Sequence, residues 1–356
     1  MSKFPSCLLL IGLAAASAEP QAAIFCVTTT PELQQALMMA GNNGEADTIN
    51  VEAGVYAATS TVAFAYSSAQ DFAVTISGGY LSNCGLQVFD PGLTQLTGSD
   101  ERQVMKVLGA SGTSGGQSIS NLTIRDGITT ATNGAGLEIG GGGGFTGNVS
   151  VSRVVFSRNV SNTFGGGMSV SSNGGIVNVL NNLFLLNRCG DGACAFTAPV
   201  NAPSPVGLRA YFGNNTIVGN TCTAGGSCPN TGARFGGSAS AVFYNNVFAA
   251  NTGGVDLALA NLSGGSTELY NNNVVSLSGS PPAVTSGNIA FANPQFVDLL
   301  NDDLRPTATS PLRNAGTATF ALLSIDLAGA ARVNEGVVDI GAYENNDRVF
   351  TDGFEV

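Results

Sequence analysis

The chain has 356 residues with 48 Gly, no Trp and no His, and its 24 acidic against 13 basic side chains leave a net charge of −11. So little Glu, Lys and Arg excludes a helical bundle or coiled coil and points to short strands joined by many turns. An acidic surface with scattered bases also excludes a nucleic-acid binder, which needs clustered Lys and Arg.

Residues 1–18 read as a secretory signal: Lys3 gives a positive start, residues 7–16 an apolar run, and Ala16-Ser17-Ala18 a small-residue cleavage site before Glu19. Cys26 lacks the small residues of a lipid-attachment site, so no lipid anchor is expected. No later segment reaches the roughly 18 unbroken apolar residues of a membrane helix, so no membrane span is expected. Residues 29–40 are predicted to be the one helix. Thr29 or Thr30 can cap it, Pro31 suits its first turn, Glu32 its N-terminal dipole, and Gly41 stops it. Leu33, Ala36, Leu37 and Ala40 make one apolar stripe, so residues 19–44 should form an N-terminal cap on a β array. Residues 47–56 (DTINVEAGVY) and 72–80 (FAVTISGGY) alternate apolar and polar positions as strands do, and residues 103–108 lead into the array.

A nine-residue phrase then recurs six times, at 119–127 (ISNLTIRDG), 151–159 (VSRVVFSRN), 179–187 (VLNNLFLLN), 212–220 (FGNNTIVGN), 243–251 (FYNNVFAAN) and, more weakly, 269–277 (LYNNNVVSL). Its third position holds Asn121, Arg153, Asn181, Asn214, Asn245 and Asn271, at steps of 32, 28, 33, 31 and 26 residues. A constant phrase at irregular spacing is one supersecondary unit with variable loops, and a parallel β-solenoid over residues 45–292 fits better than leucine-rich repeats or propeller blades. Coils stacked at about 4.8 Å would make Ile124, Phe156, Phe184, Ile217, Phe248 and Val274 a buried inner column. Asn tolerates left-handed dihedrals, and its amide both donates and accepts. Asn121, Asn181, Asn214, Asn245 and Asn271 are therefore expected to form a turn ladder from coil to coil. Asp126 and Arg158 share an offset in adjacent copies and should sit side by side.

Setting aside Cys7 in the signal, six cysteines remain. Proximity suggests Cys189 with Cys194 and Cys222 with Cys228, leaving Cys26 with Cys84, although six cysteines permit about 15 pairings. Without His or tight cysteine spacing a zinc site is a poor alternative. Residues 189–208 and 222–234 read as long extruded loops, where binding usually lives.

The repeats at 156–159, 184–187 and 248–251, with Gly-Gly-apolar phrases at 166–168 and 253–255, resemble those of polymorphic outer-membrane and related bacterial right-handed parallel β-helix proteins. Residues 293–344 are more specific. The phrases NPQFVD at 293–298, DLR at 303–305, SP at 310–311, NAG at 314–316, Asp326-x-x-Gly329-x-x-Arg332 and DIGAYE at 339–344 together resemble the end of the choice-of-anchor Q family of exported bacterial proteins. Arg313 and Asn314 depart from that family's usual apolar residue and Asp. Within a C-terminal tail at 345–356, residues 347–355 (DRVFTDGFE) are similar to a short tail, ending in Asp-Gly-Phe-Glu, of many exported Gram-negative proteins. The resemblance implies a right-handed β-helix at or beyond the outer surface of a Gram-negative cell and says little about chemistry.

Two functions follow. The first is a structural, adhesive, or glycan- or protein-binding module, monomeric, without a cofactor, meeting an extracellular glycan or surface protein. The alternative is a polysaccharide lyase or glycoside hydrolase. Hydrolysis needs two carboxyls about 5 to 9.5 Å apart, yet the offset of Asp126 continues as Arg158, Leu186, Gly219 and Ala250, and no catalytic residue stands out. The adjacent pair Asp302-Asp303 belongs to the family phrase and reads as structural. Calcium is a weak expectation, because the scattered acids form no repeat. Three or more carboxylate, Arg or Tyr tips converging in one groove would revive the enzyme reading; a flat Ser, Thr, Asn and Gly face would sink it.

Overall fold

A computed structural model describes residues 22–58, 63–202, 207–223, 228, 230–291, 293–320, 323–334 and 336–345, so the expected signal and nearly all of the expected tail lie outside the described residues. The chain winds as a parallel β-helix. Its first face runs from Ala23–Val27 through Asp47–Glu52, Val74–Leu81, Gln117–Arg125, Val149–Ser157, Val177–Leu180, Leu208–Gly213, Ser240–Tyr244 and Thr267–Tyr270 to Val284–Ser286. A narrow second face takes the far halves of Gln117–Arg125 and Val149–Ser157, followed by Leu183–Leu185, Thr216–Val218 and Val247–Ala249. A third face, from Phe64–Ser68 to Leu277–Gly279, closes the cross-section.

The helix, Thr30–Ala40 (α1), closes the N-terminal end. Thr29 Oγ1 accepts from the Glu32 amide and Glu32 Oε2 accepts from the Thr29 amide at 3.0 Å, a reciprocal cap. Leu33, Ala36, Leu37 and Ala40 are buried, and a Cβ on Gly41 would stand 2.5 Å from Ser67 O, so only glycine lets the helix end there. The expected cap at 19–44 is not separate from the coils: Ala23–Val27 pairs in parallel with Asp47–Glu52 and is already a strand of the first face. Too short to show a period, it carries no sequence signal of its own.

Inside, side chains stack from coil to coil. Ile124, Phe156, Phe184, Ile217 and Phe248 are register partners and no more than 1% exposed, and the Phe156 and Phe184 rings stack at 4.8 Å. Val274 departs from the expected full burial: it is only partly buried, because only the partial coil through Val284–Ser286 lies above it. Loops expected at 189–208 and 222–234 are largely coil as well, since Phe196–Asn201 and Asn230–Gly237 are third-face strands. Pro199 disguised the first: it faces outward, and pairing to the preceding coil skips its neighbourhood, running from Ser169↔Thr197 to Ser172↔Val200.

The corners carry the main correction. Asn121, Asn181, Asn214, Asn245 and Asn271 all have left-handed φ between 51 and 57°, as does Arg153 at 50°. Their amides do not bond one another. A residue in this conformation turns its side chain out of the corner, and the next residue points in. The ladder therefore runs one position further on: Asn182, Asn215, Asn246 and Asn272 each donate Nδ2 to the Oδ1 of the next, ending at Asn288, at 2.8 to 3.0 Å. Another joins Asn159, Asn187, Asn220 and Asn251 at 3.0 Å. Each also donates to a carbonyl of the coil below, as Asn182 does to Val151 O, so buried amides are satisfied in both directions.

Disulfides join Cys26 to Cys84, Cys189 to Cys194 and Cys222 to Cys228. Cys189 and Cys222 are register partners on adjacent coils, so two short bridges lie one above the other. Among the described residues no helix is long and apolar enough to cross a membrane.

Two outcomes are expected. Phe184→Ala, in the middle of the aromatic stack, should cost about 3 to 5 kcal/mol in denaturant unfolding, and a loss under about 1 kcal/mol would contradict the assigned inner column. Peptide mapping of the unreduced protein should recover Cys189 with Cys194; a Cys189–Cys222 peptide would contradict the pairing.

Candidate functional site

On most of the second face both surfaces are apolar. The phrase cores VVF, LFL, TIV and VFA place Phe156, Phe184, Ile217 and Phe248 inside and Val155, Leu183, Leu185, Val218, Val247 and Ala249 outside. Such a strand must be covered on its second surface. The cover is the C-terminal segment, which turns back along the coils and contributes Leu304, Leu312, Leu327, Ile340 and Ala342 to a second core with those side chains.

Four of the left-handed asparagines hold this cover, whereas Asn121 donates to Gly78 O and Val88 O at 2.9 and 2.8 Å. Asn271 Nδ2 donates to Ala315 O at 2.8 Å, Asn245 to Thr317 O at 2.9 Å, Asn214 to Asp339 O and Gly341 O at 3.4 Å, and Asn181 to Ile325 O at 2.7 Å. Thr317 N returns a bond to Asn245 Oδ1 at 2.8 Å. Where the column carries Arg153, the guanidinium lies 4.9 Å above the Phe89 ring, and burial lowers its pKa.

The family-like phrases form a clasp inside the cover. Arg332 is fully buried; it pairs with Glu344 at 2.7 Å, donates to Gly341 O and Ala342 O at 3.0 and 2.8 Å, and reaches Asn181 Oδ1 at 2.9 Å. Asp326 accepts from the Ala330 and Glu344 amides at 2.7 and 2.8 Å, and Asp339 from Asn314 and Asn345 at 2.7 and 2.6 Å. Burial pushes Glu344 up, to about 7, while the Arg332 charge opposes the shift. These acids are committed to backbone donors and are structural.

The cover stops short of the earlier coils, and the outward column turns polar there, through Thr123, Arg125 and Ser157. A groove of about 560 Å³ opens at this border, within the size range of small-ligand sites. Its floor is Thr123, Val155, Ser157, Leu183 and Leu185; Asp90, Pro91 and Gly92 bound it on one side, held by Thr123 Oγ1 on Pro91 O at 2.9 Å. The cover supplies Asp302, Asp303, Arg305 and Tyr343.

Arg158, at a left-handed corner with φ of 55°, approaches Asp126 at 3.3 Å on the neighbouring coil and Asp302 at 4.0 Å across the border. Equal offset brought Asp126 and Arg158 together, as the register requires; the contact to Asp302 spans 144 residues of chain and had no sequence signal. Asp302 is itself left-handed, φ 63°, ending the turn Leu299–Asn301 that Asp298 caps. Arg305 grips Asp303 with two bonds, at 2.9 and 2.6 Å, and holds that carboxyl below its usual range. Asp303 thus keeps a structural role, whereas Asp302 lines the groove. Burial raises the Tyr343 phenol, and the neighbouring charges of Asp303 and Asp90 add to this while Arg305 opposes it. The phenol stays protonated and able to donate.

Sequence reasoning missed Asp90, Ser157, Arg305 and Tyr343 as one site. The available signal was the continuous apolar run at 183–186, which announces a covered strand but not what covers it. The chain matches no protein-family model and no curated protein.

Arg332→Ala would strand Glu344 in the clasp. It is expected to cost about 3 kcal/mol or more in unfolding, as buried pairs do when one partner goes, and to expose residues 310–344 to protease first.

Proposed function

We propose that the chain is an exported β-helix module, of the choice-of-anchor Q kind its C-terminal phrases resemble, that binds an extracellular glycan in the groove at the cover's edge. The observation that carries this reading is the pairing of an apolar floor, Val155, Leu183 and Leu185, with Asp302, Arg158, Ser157 and the Tyr343 phenol around it. A pyranose ring offers an apolar C–H face and a rim of hydroxyls, which match such a floor and such bidentate or hydroxyl partners. Three disulfides support an oxidising destination.

Charge narrows the glycan. Asp90, Asp302 and Asp303 outnumber Arg158 and Arg305 in a chain of net charge −11, which disfavours polyuronates and favours neutral or amino sugars. The convergence of acidic, guanidinium and phenolic groups in one groove also keeps glycoside hydrolysis as a second reading. That reading rests on Asp90 and Asp302, which line the groove from different segments.

Titration calorimetry of the mature chain against neutral, amino and uronate oligosaccharides should show binding to the first two classes. Asp302→Asn is expected to weaken it by about tenfold, the loss of one charged hydrogen bond. Binding of oligouronate alone, or equal binding by Asp302→Asn, would contradict the assignment. Release of reducing ends that Asp302→Asn or Asp90→Asn abolishes would establish the hydrolase instead.

A further inference from the structure

The two ends of the solenoid are finished differently. Helix α1 packs its buried stripe over the first and leaves Met38 and Met39 exposed, while the outermost strand there, Ala23–Val27, is paired on one side only and exposes Ile24. At the other end Leu277–Gly279 and Val284–Ser286 are the outermost strands of the third and first faces, each paired on one side only. Around them Val275, Leu277, Val284 and Phe291 are 52, 40, 37 and 48% exposed, and Val274 is left partly buried. Among the described residues nothing covers this end.

Its charge is as unusual as its exposure. From Leu269 to Val297 the sequence holds no Asp, Glu, Lys or Arg, although the whole chain carries 37 such residues. Edge strands are normally guarded by charge, above all Lys; here the strands are short and Pro281-Pro282 lies between them, but no charge is present. Two copies of a chain with net charge −11 repel wherever their acidic surfaces meet. The neutral end is where that repulsion is least, and it is also where unpaired strand edges and apolar side chains coincide.

We propose that this end is a self-association surface, on which a second copy docks tail to tail. A two-fold arrangement brings the same patch together on both subunits and lets the free edge of Val284–Ser286 pair with its counterpart. Because a two-fold contact uses the same patch on both copies, it does not propagate, and assembly stops at a dimer rather than a fibre. The expected monomer becomes the subunit of a pair.

Sedimentation equilibrium of the mature, full-length chain over a dilution series tests this. The expected result is a mass that doubles with rising concentration, a loss of that doubling in Val284→Lys and in Leu277→Lys with circular dichroism unchanged, and its retention in Met38→Lys on α1. A monomer at every concentration would overturn the proposal, as would a dimer that Met38→Lys dissolves and Val284→Lys does not. Association that emerges only after removal of residues 346–356 would also overturn it, identifying the chain's own tail as the occupant.

Discussion

The left-handed corner at the third position of each phrase is the constraint on which the structure depends. Turning the chain from the first to the second face within one residue requires positive φ, a conformation costing most L-residues about 1 kcal/mol or more and Asn less. Once there, that Asn points its amide away from the coil. Its neighbour points in and continues the buried ladder, so two adjacent asparagines do opposite work: Asn182 ties coil to coil, and Asn181 ties the coil to residues 325 and 332. One backbone requirement yields both the stacking of the scaffold and the attachment of its cover.

The second corner shows what happens without such a side chain. Asp126, Arg158, Leu186 and Ala250 sit at φ between 52 and 56°, and only Gly219 relieves the strain in its coil. After Arg158, Leu186 and Ala250 the Asn that follows, such as Asn159 or Asn187, fixes the turn through carbonyl and amide bonds on both neighbouring coils, and after Asp126 it is Gly127 that donates to Asn159 Oδ1. The resulting freedom of side-chain choice is where the groove draws Arg158 and its partner Asp126. Function, on this reading, is placed at the corner position that the scaffold leaves chemically open and at the edge where the cover ends.

The scaffold was legible in the sequence because its signals are local and repeated. The helix with its apolar stripe, the inner column from Ile124 to Phe248 and the register of Asp126 with Arg158 each follow from a fixed spacing. What was not legible depends on direction or on distance. Spacing alone cannot say whether Asn181 or Asn182 faces inward, since both lie in the same turn. Nor can it say that residues 304–344 fold back over Leu183 and Val247, which makes Arg332 a buried partner of Asn181 and brings Tyr343 beside Asp90. Among the C-terminal phrases, Asp326, Asp339 and Glu344 bond backbone amides, while Asp302, Asp303, Arg305 and Tyr343 line the groove.

The central claim is that the outward asparagines hold the cover while the inward ones hold the coils. Replacing Asn181, Asn214 and Asn245 together by Gly keeps the left-handed backbone and removes the outward amides. Hydrogen exchange followed by mass spectrometry should then show residues 310–344 exchanging much faster than in the parent chain, with protection of residues 177–185 and 208–218 retained. Unchanged protection of residues 310–344, or equal loss across coils and cover, would contradict the account.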